Sequence, residues 1–126
     1  MDVMVSTPLA QLVIGCAIEV HSILGPGLLE SAYESCLEHE LILRGTYLRR
    51  QVVLPVTYMG LELVSGFRAD FVIEESLLVE LKSVERLLPI HEAQVLTYLR
   101  LARLKQGLLI NFNVLRLTAG LKSFLM

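Results

Sequence analysis

Two acids and a lysine in the middle of the chain have the types and spacing for chemistry. Asp70 is followed, after nine residues, by Glu80-Leu81-Lys82, where Glu80 and Lys82 interrupt an otherwise apolar run. Positions i and i+2 of a strand share a face, so Glu80 and Lys82 are expected to project together. Burying an acid and an amine is costly unless they pair or bind an ion. The pattern therefore predicts either a metal site or a buried ion pair of Lys82 with Asp70 or Glu80.

A predicted hairpin brings the acids together. A tight turn near Glu75 and Ser76 would place Asp70 opposite residue 80 or 81. Two carboxylates held that close repel each other unless a proton or a cation lies between them. Oxygen ligands favour a hard, partly hydrated ion, Mg²⁺ or Mn²⁺. Beside such an ion, the Lys82 ammonium can orient an attacking water and stabilise developing charge. This set of groups predicts phosphodiester hydrolysis.

The elements that must position these residues follow from the apolar periodicity, which predicts the order α-α-β-β-β-α-β. Helices are predicted from Pro8 to the break at Gly25-Pro26-Gly27, and over about Leu28 to Arg44 and 90–104. Strands are predicted over 51–58, 61–73, 77–84 and 108–112, with one more in the tail around Ala119-Gly120. The order predicts an α/β fold with a mixed central sheet flanked by helices. The whole chain, 1–126, is expected to form one domain.

Other polar residues are candidates for the site, and each also has an ordinary structural explanation. Glu30 opens the second helix, where a surface glutamate also suits the helix dipole; Glu34 is assigned to the solvated side of that helix. Gln94 and Tyr98 stand at i and i+4 and share one helical face, so they either serve a site or occupy an ordinary boundary. His21 closes an apolar helix and is either a hydrogen-bonded boundary histidine or a site residue.

Composition limits the classes of function. A net charge of −2 lacks the basic footprint of a simple nucleic-acid binder, although a metal ion would offset local acidity. No run approaches the 20 or so apolar residues of a membrane span, and no signal peptide is evident, so we expect a cytoplasmic protein without membrane contact. Cys16 and Cys36 lie in helical apolar patterns and are expected to be buried free thiols.

The apolar content also bears on assembly. Hydrophobic residues make up 54% of the chain, and the mean hydropathy is +0.61. The tail is apolar with few charges, and if exposed it would form a sticky patch or strand edge. We expect it to pair in a homodimer, because two-fold dimers are the commonest oligomer. The alternative is a monomer whose tail adds one more strand. The apolar tail residues are Val114, Leu115, Leu117, Leu121, Phe124, Leu125 and Met126.

Several motifs, in this order and spacing, resemble the GxxExxY proteins, a family assigned to the PD-(D/E)xK nuclease superfamily. The run from Gly27 to Tyr33 carries the GxxExxY signature itself, with Glu30 as its acid. The likeness extends almost from end to end. It takes in Glu19-Val20-His21, Leu24-Gly25-Pro26-Gly27, Phe67-Arg68-Ala69-Asp70, Val79-Glu80-Leu81-Lys82, His91-Glu92-Ala93-Gln94 and Gly107-Leu108-Leu109-Ile110-Asn111-Phe112.

The resemblance implies a restriction-endonuclease-like core, α-β-β-β-α-β, after one extra N-terminal helix. It implies that Asp70 and Glu80 bind the metal with help from the Leu81 carbonyl, and that Lys82 positions the attacking water. It makes Glu30 the helical glutamate of the site. Gln94 and Tyr98 look like the QxxxY element of nuclease domains attached to bacterial recombination helicases, with roles in orienting the site or holding a phosphate.

The sequence thus supports two hypotheses. The first is an Mg²⁺- or Mn²⁺-dependent nuclease that acts on DNA through Asp70, Glu80 and Lys82. The second is a nuclease-fold binding or regulatory module that works through a protein partner without catalysis. The acidic balance and the apolar excess favour the second hypothesis.

Overall fold

The structure, a computed structural model, describes residues 7–63 and 66–126. Within them the helices are α1 (Pro8–Leu24), α2 (Glu30–Leu43) and α3 (Pro89–Ala102), with a 3₁₀ turn at Leu117–Gly120. The strands are β1 (Leu48–Val53), β2 (Val56–Tyr58), β3 (Leu61–Leu63), β4 (Arg68–Ile73), β5 (Leu77–Lys82), β6 (Gln106–Asn111) and β7 (Leu121–Leu125). Thr7 caps α1 by accepting a hydrogen bond from the backbone N–H of Ala10, and Pro8 is its first residue.

Five strands form one mixed sheet in the order β1-β4-β5-β6-β7. β5 and β6 are parallel and place Lys82 beside Asn111, whereas the other neighbours are antiparallel. A parallel pair needs a crossover connection, and α3 supplies it. β2 and β3 form a separate hairpin. β5 is thus the central strand of this sheet, and its residues are apolar except for Glu80 and Lys82.

Helices cover both faces of this sheet. α1 and α2 contribute Val13 and Tyr33 to a core with Phe71 and Val79. On the other face, α3 packs through residues such as Leu99 in a second buried cluster. This arrangement confirms the predicted fold class, a mixed sheet flanked by helices and consistent with a restriction-endonuclease-like fold.

Two predicted strands are divided in the structure. The segment 51–58 is split at Pro55, which has no N–H to donate to a ladder, so β1 ends before it and β2 begins after it. The segment 61–73 is split into β3 and β4; Gly66, between them, has a φ of +94°. A left-handed φ removes a residue from a regular strand.

The tail also differs from prediction in position. The strand expected around Ala119-Gly120 begins at Leu121, because those two residues belong to the 3₁₀ turn. At Gly120 a Cβ atom would lie 2.2 Å from the carbonyl oxygen of Asn111, so only glycine fits there. β7 pairs with β6 and buries Phe124. The tail therefore packs partly on its own sheet, whereas Leu115, Leu125 and Met126 stay exposed, and the homodimer stays a prediction.

Two further expectations concern membranes and thiols. Among the described residues, no helix is long and apolar enough to span a membrane. Cys16 and Cys36 are both free, as predicted, but only Cys16 is fully buried. Burial raises the pKa of the Cys16 thiol above its usual value, and it therefore behaves as a small apolar core residue.

Candidate active site

The site forms where β4 and β5 stop pairing through their backbones. The backbone pairing ends at Phe71 opposite Val79, one residue short of Asp70 and Glu80. Beyond that point, carboxylate side chains replace backbone carbonyls as acceptors. The Asp70 N–H donates to Glu80 Oε1 at 2.7 Å, and the Leu81 N–H donates to Asp70 Oδ2 at 2.8 Å. The hairpin therefore brings the two acids together as the sequence predicted, and each carboxylate is held by the other strand.

Burial and mutual repulsion make this pair of acids unusual. Glu80 is only 4% exposed. Burial raises the pKa of Glu80 to about 8, with the charge of Asp70 as the next cause. Burial also raises the pKa of Asp70 to about 6; the Leu81 N–H opposes this rise, and the charge of Glu34 adds to it. Such a pair is relieved by a proton or by a cation.

Lys82 is close to the acids but does not pair with them. Its charge lowers the pKa of Glu80. Among the ion pairs of the described residues, none joins Lys82 to Asp70 or Glu80. Lys82 instead lines a cleft of about 460 Å³. The buried structural ion pair considered above therefore lacks its contact, and the ammonium faces a space that a substrate could enter.

The same cleft carries the polar pair of α3. Gln94 and Tyr98 both line it, and the Gln94 Nε2 donates to the Tyr98 hydroxyl at 3.2 Å. His91, one turn earlier, also lines the cleft while its Nδ1 accepts a hydrogen bond from the Leu88 N–H at the start of the helix. Gln94, Tyr98 and Lys82 thus surround one cavity.

A comparison with protein families decides the classification. A family model described as the PD-(D/E)XK nuclease superfamily matches residues 7–124. The chain belongs to the PD-(D/E)XK nuclease superfamily. Membership indicates a nuclease, and nucleases of this superfamily generally use divalent metals. Comparisons with curated proteins and with solved structures returned no match.

The donors in this superfamily member fit a divalent ion. Mg²⁺ is usually held by one or two carboxylates and keeps several waters. Asp70 and Glu80 offer two such carboxylates, and a bound cation would favour their charged forms against burial, which raises the pKa of both. The described residues contain no group of three or more His, Cys, Asp and Glu side chains suited to hold a metal. The Leu81 carbonyl, predicted as a further ligand, follows directly after Glu80 on β5.

Glu30 is the first residue of α2, and its charge raises the pKa of both Asp70 and Glu80. The rest of its motif shapes the loop before the helix. The buried Tyr33 hydroxyl donates to the Gly25 carbonyl at 2.6 Å and accepts from the Leu28 N–H at 3.1 Å. Tyr33 also stacks on Phe112, with ring centroids 4.5 Å apart. The tyrosine of the GxxExxY run therefore holds the loop that leads into Glu30.

That loop is joined to the end of β5. The Leu28 carbonyl accepts a hydrogen bond from the Ser83 hydroxyl at 2.5 Å. On the other side, the buried Asn111 side chain accepts from the Val84 N–H and donates to the Val84 carbonyl. The residues directly after Lys82 are thus held from two directions, which restricts where the lysine can lie.

Sequence reasoning missed three connected residues beside Asp70, namely Glu34, Arg50 and Gln51. Glu34, expected to be solvated, is 8% exposed because Arg50 donates to it and to Glu38. Gln51 connects Glu34 to Asp70 through its amide. The spacing of Glu30 and Glu34 at i and i+4 was an available signal, since it places both acids on one face of α2. Nothing in the sequence marked Gln51.

His21 is placed differently from the other candidates. It is buried, and its Nε2 lies 2.7 Å from the Val114 carbonyl oxygen. Its ring is 6.4 Å from that of Phe112. These contacts join α1 to the segment after β6 and match the hydrogen-bonded boundary histidine considered as the alternative. A role for His21 in orienting the site stays a prediction.

Proposed function

We propose that this chain is a divalent-metal-dependent nuclease that hydrolyses phosphodiester bonds of DNA. Within its superfamily, we propose that it is one of the GxxExxY proteins. The observation that carries the proposal is the contact between half-buried Asp70 and buried Glu80 beside a Lys82 that makes no ion pair with either acid. A structural site would be expected to neutralise such acids with that lysine. A site that binds a cation and a phosphate would leave the two carboxylates free for the cation and the Lys82 ammonium free for the phosphate.

Each residue has a role in this proposal. Asp70 and Glu80, with the Leu81 carbonyl, would hold Mg²⁺ or Mn²⁺, and Glu30 would bind a second ion or a water. When bound, such an ion polarises the oxygens of the scissile phosphate. Lys82 orients the attacking water and offsets developing charge. Gln94 and Tyr98 line the cleft and hold a phosphate or orient the site.

A polyanionic strand suits the surface around this cleft. A second groove of about 360 Å³ adjoins it, since His91 lines both, and Arg86 lines this second groove. Lys82 and Arg86 would thus offer positive charge to phosphates in these two grooves, although Glu85 also lines the second groove and the chain as a whole is slightly acidic. The two free cysteines are typical of a reducing compartment, which supports a cytoplasmic location.

A homodimer is proposed with this activity, because a two-fold pair would place two metal sites on one duplex. β7 is an edge strand of the sheet, and Leu125 and Met126 at its end are 65% and 52% exposed. An exposed apolar edge is a surface on which a second copy could pair.

The alternative, a module that acts only through a protein partner, is favoured by one feature. Ile23 and Leu43 on α1 and α2 are 70% and 67% exposed, and apolar side chains of this size are common at interfaces. This function predicts binding without cleavage.

The test is cleavage of single-stranded DNA, duplex DNA and RNA by the purified protein in Mg²⁺, Mn²⁺ or EDTA. We expect cleavage of DNA in either metal and none in EDTA. The Glu80→Gln variant, which keeps the shape of the side chain but removes its charge, should lose this activity. Cleavage that persists in EDTA, or that Glu80→Gln retains in full, would contradict the proposal.

A further inference from the structure

The two oxygens of the Asp70 carboxylate are held by two different neutral donors. Oδ2 accepts the Leu81 N–H at 2.8 Å, and Oδ1 accepts the side-chain amide of Gln51 at 3.2 Å. A carboxylate with one donor on each oxygen has little freedom to rotate. Because neither donor is a cation, the negative charge of Asp70 is not cancelled by either contact.

The Gln51 amide is itself anchored. Its Nε2 also donates to Glu34 Oε2 at 2.9 Å and to Oε1 at 3.0 Å. Glu34 is fixed in turn by Arg50, whose guanidinium also reaches Glu38 at 3.0 Å. The charge of Glu34 is thus offset by Arg50, and both of its oxygens already have partners. Glu34 therefore anchors the Gln51 amide, while its own charge is offset by Arg50.

The backbone of β1 departs from a regular strand at this residue. Gln51 has a φ of +54°, while its neighbours pair normally, Arg50 with Phe71 and Val52 with Ala69. A left-handed φ is uncommon for a residue with a long side chain. Such conformations persist where the surroundings hold them, and they are frequent at functional sites. The amide of this exposed residue is thereby placed between two carboxylates of neighbouring elements.

We propose that Gln51 is a positioning residue: its amide, anchored on Glu34, holds the Asp70 carboxylate in the orientation that binds the divalent ion. This inference rests on the proposed metal-dependent function. It assigns Gln51 and Glu34 to a support behind the metal ligands, and it explains why a neutral side chain stands there. A lysine or an arginine at the same place would neutralise Asp70 and compete with the ion.

The test measures Mn²⁺ affinity by calorimetry without DNA, so the readout does not depend on turnover. Gln51→Ala removes the amide. Gln51→Asn keeps the amide but is one methylene shorter, and asparagine tolerates a left-handed φ better than glutamine does. Gln106→Ala is the matched control. The side-chain amide of Gln106 also donates a hydrogen bond, to the Thr7 hydroxyl, and Gln106 lies at the end of β6 away from Asn111 and the site. Melting in EDTA reports the fold of each variant.

We expect both Gln51 variants to bind Mn²⁺ about 10- to 100-fold more weakly than the wild type, the usual effect of losing a residue that supports a metal ligand. Gln106→Ala should bind as the wild type does. Cleavage by the Gln51 variants should need more Mn²⁺ for half-maximal rate, while the rate at saturating Mn²⁺ changes less. Gln51→Asn should melt in EDTA at the wild-type temperature.

The outcomes separate this inference from the proposed function. If the wild type binds Mn²⁺ and cleaves DNA, and both Gln51 variants bind as tightly, the positioning role is wrong and the nuclease stands. If both variants fail to fold in EDTA, the role of Gln51 is structural and the inference is overturned. If the wild type neither binds Mn²⁺ nor cleaves, the proposed function falls, and the inference falls with it.

Discussion

Asp70 and Glu80 are neighbouring acids, Asp70 half-buried and Glu80 buried, so the protein without metal should respond to pH in a specific way. Burial raises the pKa of Asp70 to about 6 and of Glu80 to about 8, from ordinary values of 3.8 and 4.5. The folded state therefore holds more protons than the unfolded state across this window. Stability contributed by the pair is greatest at low pH and falls as the pH rises from about 4 to about 8.

The prediction is that wild-type protein in EDTA loses stability over this window relative to Glu80→Gln. The variant has no second charge to repel Asp70, so its melting temperature should depend less on pH. Thermal melts of both proteins across the window measure the difference, and other titrating groups cancel between them. Parallel curves for the two proteins would show that the pKa of Glu80 is not raised in the fold.

At the same scale, the sequence singled out the two acids and the lysine, but not the residues that contact them. Asp70, Glu80 and Lys82 stand out because charged residues interrupt an apolar strand, and strand periodicity gives their face. Gln51 has no such signal, since its left-handed φ depends on contacts with Glu34 and Asp70. Contacts between distant segments form only after folding, and a single sequence does not reveal them.

At the scale of the elements, the uncharged loop between α1 and α2 helps to position the end of β5. The Tyr33 hydroxyl holds the loop before α2 through Gly25 and Leu28, and that loop accepts a hydrogen bond from Ser83, next to Lys82. The signature run from Gly27 to Tyr33 is therefore partly structural: its tyrosine holds the turn, while the role proposed for its glutamate is in the metal site. Strand lengths were harder to predict, because Pro55 and the left-handed Gly66 divide two apolar runs.

We predict that Tyr33→Phe lowers the free energy of unfolding by about 1 kcal/mol, the usual net value of a hydrogen bond, or somewhat more where a backbone group stays unpaired. Cleavage should fall as well, since the loop that bears Glu30 is loosened. Tyr58→Phe is the control, because Tyr58 is 62% exposed on the β2–β3 hairpin. Urea denaturation measures both variants; equal midpoints for Tyr33→Phe and the wild type would contradict this role.

For the whole molecule, the open question of assembly concerns the tail. The apolar composition predicted a surface that needs covering, and β7 covers most of it by pairing with β6. Composition alone could not decide between these outcomes, because a strand can pair with its own sheet or with another copy. The edge left by Leu125 and Met126 is the remaining basis for a dimer.

We expect sedimentation at micromolar concentration to show a species of about twice the 14.1 kDa chain mass. A lysine in place of Leu125 should shift this species toward the monomer, because a charge on an edge strand opposes pairing. A clean 14.1 kDa species for the wild type would defeat the dimer, and with it the idea of two cuts on one duplex.

The most direct measurement of the central claim is cleavage of DNA by Lys82→Ala at saturating Mg²⁺. Lys82 is assigned to the attacking water and not to the metal, so the variant should lose at least about 100-fold in rate, a typical loss for one group that stabilises the transition state. Its Mn²⁺ affinity should stay near that of the wild type. Lys105→Ala, at an exposed lysine between α3 and β6, should cleave normally. A Lys82→Ala protein that cleaves at the wild-type rate would contradict the account.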